Sequence, residues 1–282
     1  MSDFREKLYK GYGQVLETTR ILYEDKTEHQ HLIIFENPAF GRVMALDDIV
    51  QVTEGDEFIY HEMLVHVPLL AHGGVKKVLI IGGGDGGTLR EVLKHPGVAT
   101  ATMVEIDRTV VDLCSEHMPG IHAGAFDDPR TDLVIADGVG YVAETAKRFD
   151  VIIVDSTDPV GPGGVLFTES FYANCKRCLT TGGVLVTQNG VPFFQGSEVT
   201  DSYRRLKPSF RDVAFYTAPV PTYIGGVMTL GWATDNTDLR CVSARALAHR
   251  ANAIGLKARY YTPAGHVGAF ALPGFVSDLM VD

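Results

Sequence analysis

The segment Gly82-Gly83-Gly84-Asp85-Gly86-Gly87 narrows the possible folds of this chain more than any other stretch. It follows Val78-Leu79-Ile80-Ile81, a continuous apolar run of the kind a buried parallel strand makes. A helix-like stretch, 88–94, comes after it. Strand, glycine turn and helix form the nucleotide-binding corner of a doubly wound α/β sheet, where loop amides and a helix N-terminus face the ligand. In a dinucleotide site the group they face is a pyrophosphate, an anion. A carboxylate at Asp85 would repel it at close range. The loop therefore selects for a cationic ligand, such as a nucleoside carrying a sulfonium or an amine.

A chain of 282 residues holds one large α/β domain and a small appendage. Its formal net charge is −10, its pI is near 5.4, and it has no lysine or arginine cluster, which argues against nucleic acid as a partner. The acidic balance suits a polycationic substrate, although many cytosolic enzymes are equally acidic. Residues 1–10 are charged and lack the apolar core of a signal peptide, and no apolar run reaches the length of a membrane span. Cys114, Cys175, Cys178 and Cys241 then read as free thiols of a reducing cytoplasm. Cys175 and Cys178 have redox or zinc spacing, but no second pair accompanies them, so they read as two thiols on a helix over 169–179.

Up to residue 53 the pattern is short and alternating. Segments 14–23, 31–35, 42–46 and 49–53 read as strands, with turns at Asn37-Pro38 and Asp47-Asp48. They make a small antiparallel β domain, residues 1–54. Residues 56–70 read as a helix with Phe58, Ile59, Met63, Val67 and Leu70 on its apolar face. Beyond it, strand-like runs at 75–81, 99–104, 133–136, 151–154 and 184–187 alternate with helix-like stretches around 108–117, 139–148 and 171–179. That alternation predicts a mostly parallel sheet covered on both faces, in a second domain spanning 55–282. Two later strands (211–216, 227–233), a closing helix at 244–254 and short pieces from 263 complete it.

Ligands of such sheets collect at the carboxyl ends of the strands, and four of the five strands carry acidic residues there. Asp85 follows the first. The second ends Glu105-Ile106-Asp107, and Glu105 lies twenty-one residues past Gly84, the spacing at which a carboxylate reaches both ribose hydroxyls. The third ends Asp137-Gly138, where the carboxylate could accept from an adenine amino group. The fourth ends Asp155-Ser156-Thr157-Asp158-Pro159-Val160-Gly161-Pro162. A single acidic strand end is usually a helix cap or a solvated loop residue. The same habit on four strands, with Asp85 in the glycine loop, marks a site.

The glycine loop (82–87), Glu105-Ile106-Asp107 and the run from Asp155 to Pro162 together resemble the polyamine aminopropyltransferase family, above all spermidine synthases of bacterial type. The likeness extends through Asp56-Glu57-Phe58-Ile59-Tyr60-His61-Glu62-Met63, Thr187-Gln188-Asn189-Gly190 and Pro221-Thr222-Tyr223-Ile224-Gly225-Gly226, from about residue 14 to 233. The resemblance implies a Rossmann-like (methyltransferase-type) sheet behind the N-terminal β domain, in a cytoplasmic homo-oligomer, dimer or tetramer. It implies transfer of an aminopropyl group from decarboxylated S-adenosylmethionine, a co-substrate, to putrescine, giving spermidine and methylthioadenosine with no metal or other cofactor. It makes Asp155 the proton acceptor, and Asp85 and Asp158 the carboxylates for the aminopropyl and diamine nitrogens. Glu105 matches the ribose ligand, Asp137 and Gly138 the adenine contact, and Gln30 another nucleoside contact. Ser156 and Thr157 belong to the fourth strand-end motif. Tyr60, His61, Gln188 and Tyr223 fall along the diamine channel, and Pro162 in a flap over the nucleoside. Where many relatives place a tryptophan near the N-terminus, this chain has Phe4.

Bland readings stand beside these. Tyr60 and Tyr223 also fit ordinary half-buried aromatics, and the histidines other than His61 read as surface residues. His61-Glu62 followed by His66 evokes a zinc helix, but that motif needs histidines four apart, and a spacing of five puts them about 140° out of line. A methyltransferase that uses S-adenosylmethionine and an amine acceptor is the alternative reaction. A non-catalytic polyamine or nucleoside binder is a third reading, against which Asp155 speaks.

Overall fold

The computed structural model describes residues 2–26, 30–157 and 161–280. Strands β1 (Ser2–Arg5) and β2 (Val15–Thr18) pair antiparallel. Four more, β3 (Arg20–Lys26), β4 (His31–Asn37), β5 (Gly41–Leu46) and β6 (Ile49–Thr53), form an antiparallel meander. The one strand expected over 14–23 is therefore two, in different sheets. They part at Thr19, whose N–H and hydroxyl both donate to the Glu36 carbonyl, at 2.9 and 3.0 Å. Strand β4 has no polar face because both of its faces are covered. Ile33 and Phe35 pack with Phe4, Leu16 and Val43, while Leu32 and Ile34 pack with Met44, Val110 and Leu113 from beyond the meander.

Helix α1 (Glu57–His72) leads into the second region. There β7 (Lys77–Gly82), α2 (Gly87–Leu93), β8 (Thr100–Glu105), α3 (Arg108–His117), α4 (Pro119–His122), β9 (Thr131–Ile135), α5 (Gly138–Glu144), β10 (Phe149–Asp155), α6 (Glu169–Cys178) and β11 (Leu179–Gln188) follow as βα units. Then come α7 (Pro192–Leu206), β12 (Asp212–Ala218), β13 (Met228–Thr234), α8 (Ala244–Ala253), α9 (Pro263–Ala269) and α10 (Gly274–Ser277). The sheet runs β12-β13-β11-β10-β7-β8-β9. Strands β7 to β11 are parallel, and β13 lies antiparallel between β11 and β12. This is a doubly wound, mostly parallel sheet. Its order reverses between β7 and β10, and in such sheets the ligand crevice opens at that switch point. Asp155 pairs in register with Gly82 there, which sets the last residue of β10 against the first glycine of the loop.

Helix α1 departs from the single apolar face expected of it, since fourteen of its sixteen residues are buried. A buried charge left unpaired costs several kcal/mol, so the polar members of α1 must find partners. Glu62 accepts three backbone N–H bonds, from Arg259, Tyr260 and Tyr261, at 2.7–2.8 Å. His66 lies 3.0 Å from both His95 Nε2 and Glu91 Oε2. His66, His95, His122 and His266 are all buried, which corrects the expectation of surface histidines. Cys175 and Cys178 lie buried on α6 as free thiols.

Candidate active site

The loop after β7 is shaped around Asp155. Gly83 has φ +74°, and a Cβ there would stand 2.9 Å from Asp155 Oδ2. A side chain at this position would thus strain the backbone and push the carboxylate away. The Gly83 N–H donates to the Asp155 carbonyl at 2.9 Å, which ties the loop to the end of β10. Above this crevice lies a cavity of about 330 Å³. Asp85, Glu105, Asp137 and Gly138 reach it from the ends of β7, β8 and β9, and Asp155, Ser156 and Thr157 from the end of β10. Tyr60, Gln188, Tyr223 and Gln30 close the other walls. Asp158 lies outside the described residues, as does the side chain of Pro162.

Each oxygen of Asp155 accepts a hydroxyl. Tyr60 donates to Oδ1 at 2.7 Å and Thr88 to Oδ2 at 2.6 Å. Burial first, then the charge of Asp85, pushes the Asp155 pKa above the ordinary carboxylate range, while His61, Thr88 and Tyr60 oppose the rise. The Tyr60 hydroxyl stays protonated, since burial and the Asp155 charge hold its pKa well above 10.

His61 takes a different place from the one expected of it. It stands behind Asp85, with Nε2 3.5 Å from Asp85 Oδ1 and Nδ1 2.6 Å from Glu57 Oε2, and does not form part of the cavity wall. Burial alone would lower its pKa, but Asp85 and Glu57 raise it to about 10, so the ring is a buried cation at neutral pH. Burial likewise works to raise Asp85, yet this imidazolium and the Gly87 N–H, 2.6 Å away at the start of α2, bring its pKa below the usual value. His61 and His66 meet different carboxylates, Glu57 and Glu91, which Arg90 joins, and among the described residues no group of three or more metal-binding side chains could hold an ion.

Glu105 is buried and pushed up to about 7, even though the Asp107 and Ile106 amides donate to it. Asp137 lines the cavity and also caps α5, accepting from the Val139 and Gly140 amides at 3.1 Å each. Capping and a place on the cavity wall, alternatives in the sequence, coincide at this residue. The Tyr223 hydroxyl donates to the Gln51 carbonyl, and its ring meets Tyr60 edge-on. Phe4 is no part of the wall; it stacks on Phe35 at 5.0 Å inside the N-terminal core, and Leu8 and Tyr9 reach the cavity instead.

Sequence reasoning missed four contributors. Glu57 precedes His61 by one helical turn, a spacing that was there to be read. Arg90 grips Glu57 at 2.8 Å from α2. Thr88 and the buried Glu6, which lines the cavity and accepts from the Val50 N–H at 2.9 Å, carried no such local signal.

Residues 57–241 match the spermine/spermidine synthase domain, and residues 4–54 match the spermidine synthase tetramerisation domain. The chain belongs to the spermine/spermidine synthase family. Polyamine aminopropyltransferases of Salmonella schwarzengrund and Salmonella arizonae are 58% and 57% identical to it over 277 residues, 98% of this chain and 97% of theirs. Among solved structures, a spermidine synthase in complex with the transition-state analogue AdoDATO matches with a TM-score of 0.93 at 40% identity, covering 99% of this chain and 94% of that one. The spermidine synthase of Thermotoga maritima matches with a TM-score of 0.91 at 38% identity and the same coverage. The two spermine/spermidine synthase segments part between β6 and α1, and every described cavity residue predicted from sequence falls inside one or the other.

Proposed function

We propose that this protein transfers an aminopropyl group from decarboxylated S-adenosylmethionine to putrescine, releasing spermidine and methylthioadenosine. Asp85 and Asp155 carry this reading: two carboxylates that reach one cavity from the loop after β7 and the end of β10, close enough for the charge of Asp85 to act on Asp155, with Glu105 at ribose spacing. Such a cavity suits a sulfonium nucleoside and a diamine, both cations.

Glu105 would accept from the ribose hydroxyls and Asp137 from the adenine amino group, with Gly138 and Gln30 beside the nucleoside. Asp85 would hold the donor's ammonium end. The neutral acceptor nitrogen attacks the carbon next to sulfur; the new C–N bond forms as the C–S bond breaks, and the electron pair of that bond goes to sulfur. Positive charge leaves sulfur and appears on nitrogen, where Asp155 stabilises it and takes the proton. A free alkylammonium near pKa 10.4 stands about 6 units above an ordinary carboxylate, roughly 8–9 kcal/mol. The raised pKa of Asp155 narrows that gap from one side, and loss of water around the bound amine narrows it from the other. Tyr60, Gln188 and Tyr223 would line the diamine path, with Asp158 at the reacting end and Ser156 and Thr157 beside it, and Pro162 would lie in a flap over the nucleoside.

N-methylation from intact S-adenosylmethionine is set aside, because the relatives are named aminopropyltransferases and the structural neighbours spermidine synthases. The tetramerisation-domain match supports a homo-oligomer, dimer or tetramer, built through residues 4–54. We place the enzyme in the cytoplasm; among the described residues no helix is long and apolar enough to cross a membrane.

Competition between putrescine, cadaverine and spermidine at equal concentration tests the acceptor. Putrescine should give the highest kcat/KM and cadaverine the next. Spermidine ranking first would contradict the diamine assignment.

A further inference from the structure

Thr88 sits in the first turn of α2 with no surface exposed to solvent. A threonine inside a helix ordinarily returns its hydroxyl to the carbonyl one turn back, or caps the helix end. Here the hydroxyl donates instead to Asp155 Oδ2, at 2.6 Å and 67 residues away in sequence. The same oxygen is flanked by Gly83, where only the missing Cβ leaves room for it. With Tyr60 on Oδ1, the carboxylate is clasped by hydroxyls from two different helices.

We propose that Thr88 is a positioning residue for aminopropyl transfer, whose hydroxyl fixes the orientation of Asp155 and keeps it ionised when the amine attacks. The inference rests on Asp155 being the proton acceptor of that reaction.

The surroundings give this hydroxyl its weight. Facing Asp155 are Tyr60 and His61 from α1, Asp85 from the glycine loop and Glu105 from the end of β8. Two of these are carboxylates, and among the described residues His61 supplies the positive charge of the group. Burial and Asp85 favour the protonated acid, which already carries a proton and is far too weak a base to take the acceptor's. His61, Thr88 and Tyr60 favour the carboxylate. Valine has nearly the shape of threonine without the O–H, so Thr88→Val removes the hydrogen bond and keeps the packing. The Asp155 pKa should then rise, and activity at low pH should fall.

The test compares Thr88→Val, Thr88→Ser and wild type through kcat/KM for the decarboxylated donor at saturating putrescine, across roughly pH 5.5 to 9.5. The amine's own titration is common to all three and cancels in the ratio of variant to wild type. For Thr88→Val that ratio should lie about ten- to a hundredfold below unity at the acid end, the loss expected for one hydrogen bond to a charged group, and climb towards unity as pH rises. Thr88→Ser should stay near unity throughout. A ratio flat with pH for Thr88→Val, or a serine variant as impaired as the valine one, would overturn the proposal. If circular dichroism shows the valine variant misfolded, Thr88→Ala takes its place under the same expectation. Normal wild-type turnover with a flat ratio counts against Thr88 alone, whereas no wild-type turnover removes the aminopropyl-transfer reading as well.

Discussion

In the proposed reaction the burial of Glu105 would bear directly on nucleoside binding. A glutamate held near pKa 7 is partly protonated in the free protein, because removal from water disfavours its charge. Ribose hydroxyls donate to the ionised form, so nucleoside binding should draw the proton off. Methylthioadenosine is therefore expected to bind more tightly as pH rises towards about 7 and to level off above it, with proton release on binding near pH 6. Titration calorimetry in two buffers of different ionisation enthalpy reads that proton directly. A heat independent of buffer, or the same pH dependence in Glu105→Gln, would contradict the assignment. The places of Glu105 and Asp155 on the cavity wall were legible because a strand end followed by a turn tells where a side chain lies. Thr88 was not, since its partner stands 67 residues away and neighbouring sequence says nothing of it. Phe4 was left open for a related reason: an aromatic near the N-terminus suits a cavity wall and a small core equally well, and packing against Phe35 settles which.

Among the elements, α1 departs furthest from its pattern. Its apolar positions predicted one buried face, yet the helix lies between the sheet and the C-terminal segment, so its polar residues are buried as well. Their partners, on α2 and in residues 259–261, are distant in sequence and invisible to periodicity. The run Glu57–His61–Asp85 gives a measurable consequence. The folded pKa of His61, about 10, stands above its ordinary 6.5, so the imidazolium contributes stability fully below pH 6.5 and loses it as pH rises through 10. His61→Leu should cost about 3–5 kcal/mol near neutral pH, the effect of leaving buried charges without their partner. Urea unfolding of wild type and variant at pH 7 and again near pH 9.5 should show that cost shrinking, because above pH 6.5 the unfolded chain's neutral imidazole must take up a proton on folding, which becomes harder as pH rises. A difference that does not change with pH would contradict the ion pair. Helix α7 went unread for another reason. Its kink at Gln195, where φ is −117° and ψ 35°, and its exposed Phe193 break the apolar period that would have announced it. Likewise the bend at Thr19 splits what alternation alone presents as one strand.

Across the whole molecule, alternating strand and helix patterns were enough to predict a doubly wound sheet, and the glycine loop its ligand corner. Strand order was beyond such reading, because which strands become neighbours depends on long-range packing. That order nonetheless makes the site, since β10 returns beside β7 and brings Asp155 to the glycine loop. The N-terminal meander contributes as a wall, with Gln30, Met44 and Gln51 facing the cavity from outside the large sheet. The assembled cavity is acidic at the donor end, so Asp85 should favour the ammonium of decarboxylated S-adenosylmethionine over the carboxylate of the intact form by at least about 1–3 kcal/mol. His61 behind Asp85 moderates that preference without reversing it, because its charge is shared with Glu57. The most direct test gives the purified protein each donor in turn with putrescine and identifies the products by mass. Spermidine and methylthioadenosine from the decarboxylated donor, with no methylated amine from the intact one, is the result predicted. N-methylputrescine from the intact donor, without spermidine from the other, would contradict the account.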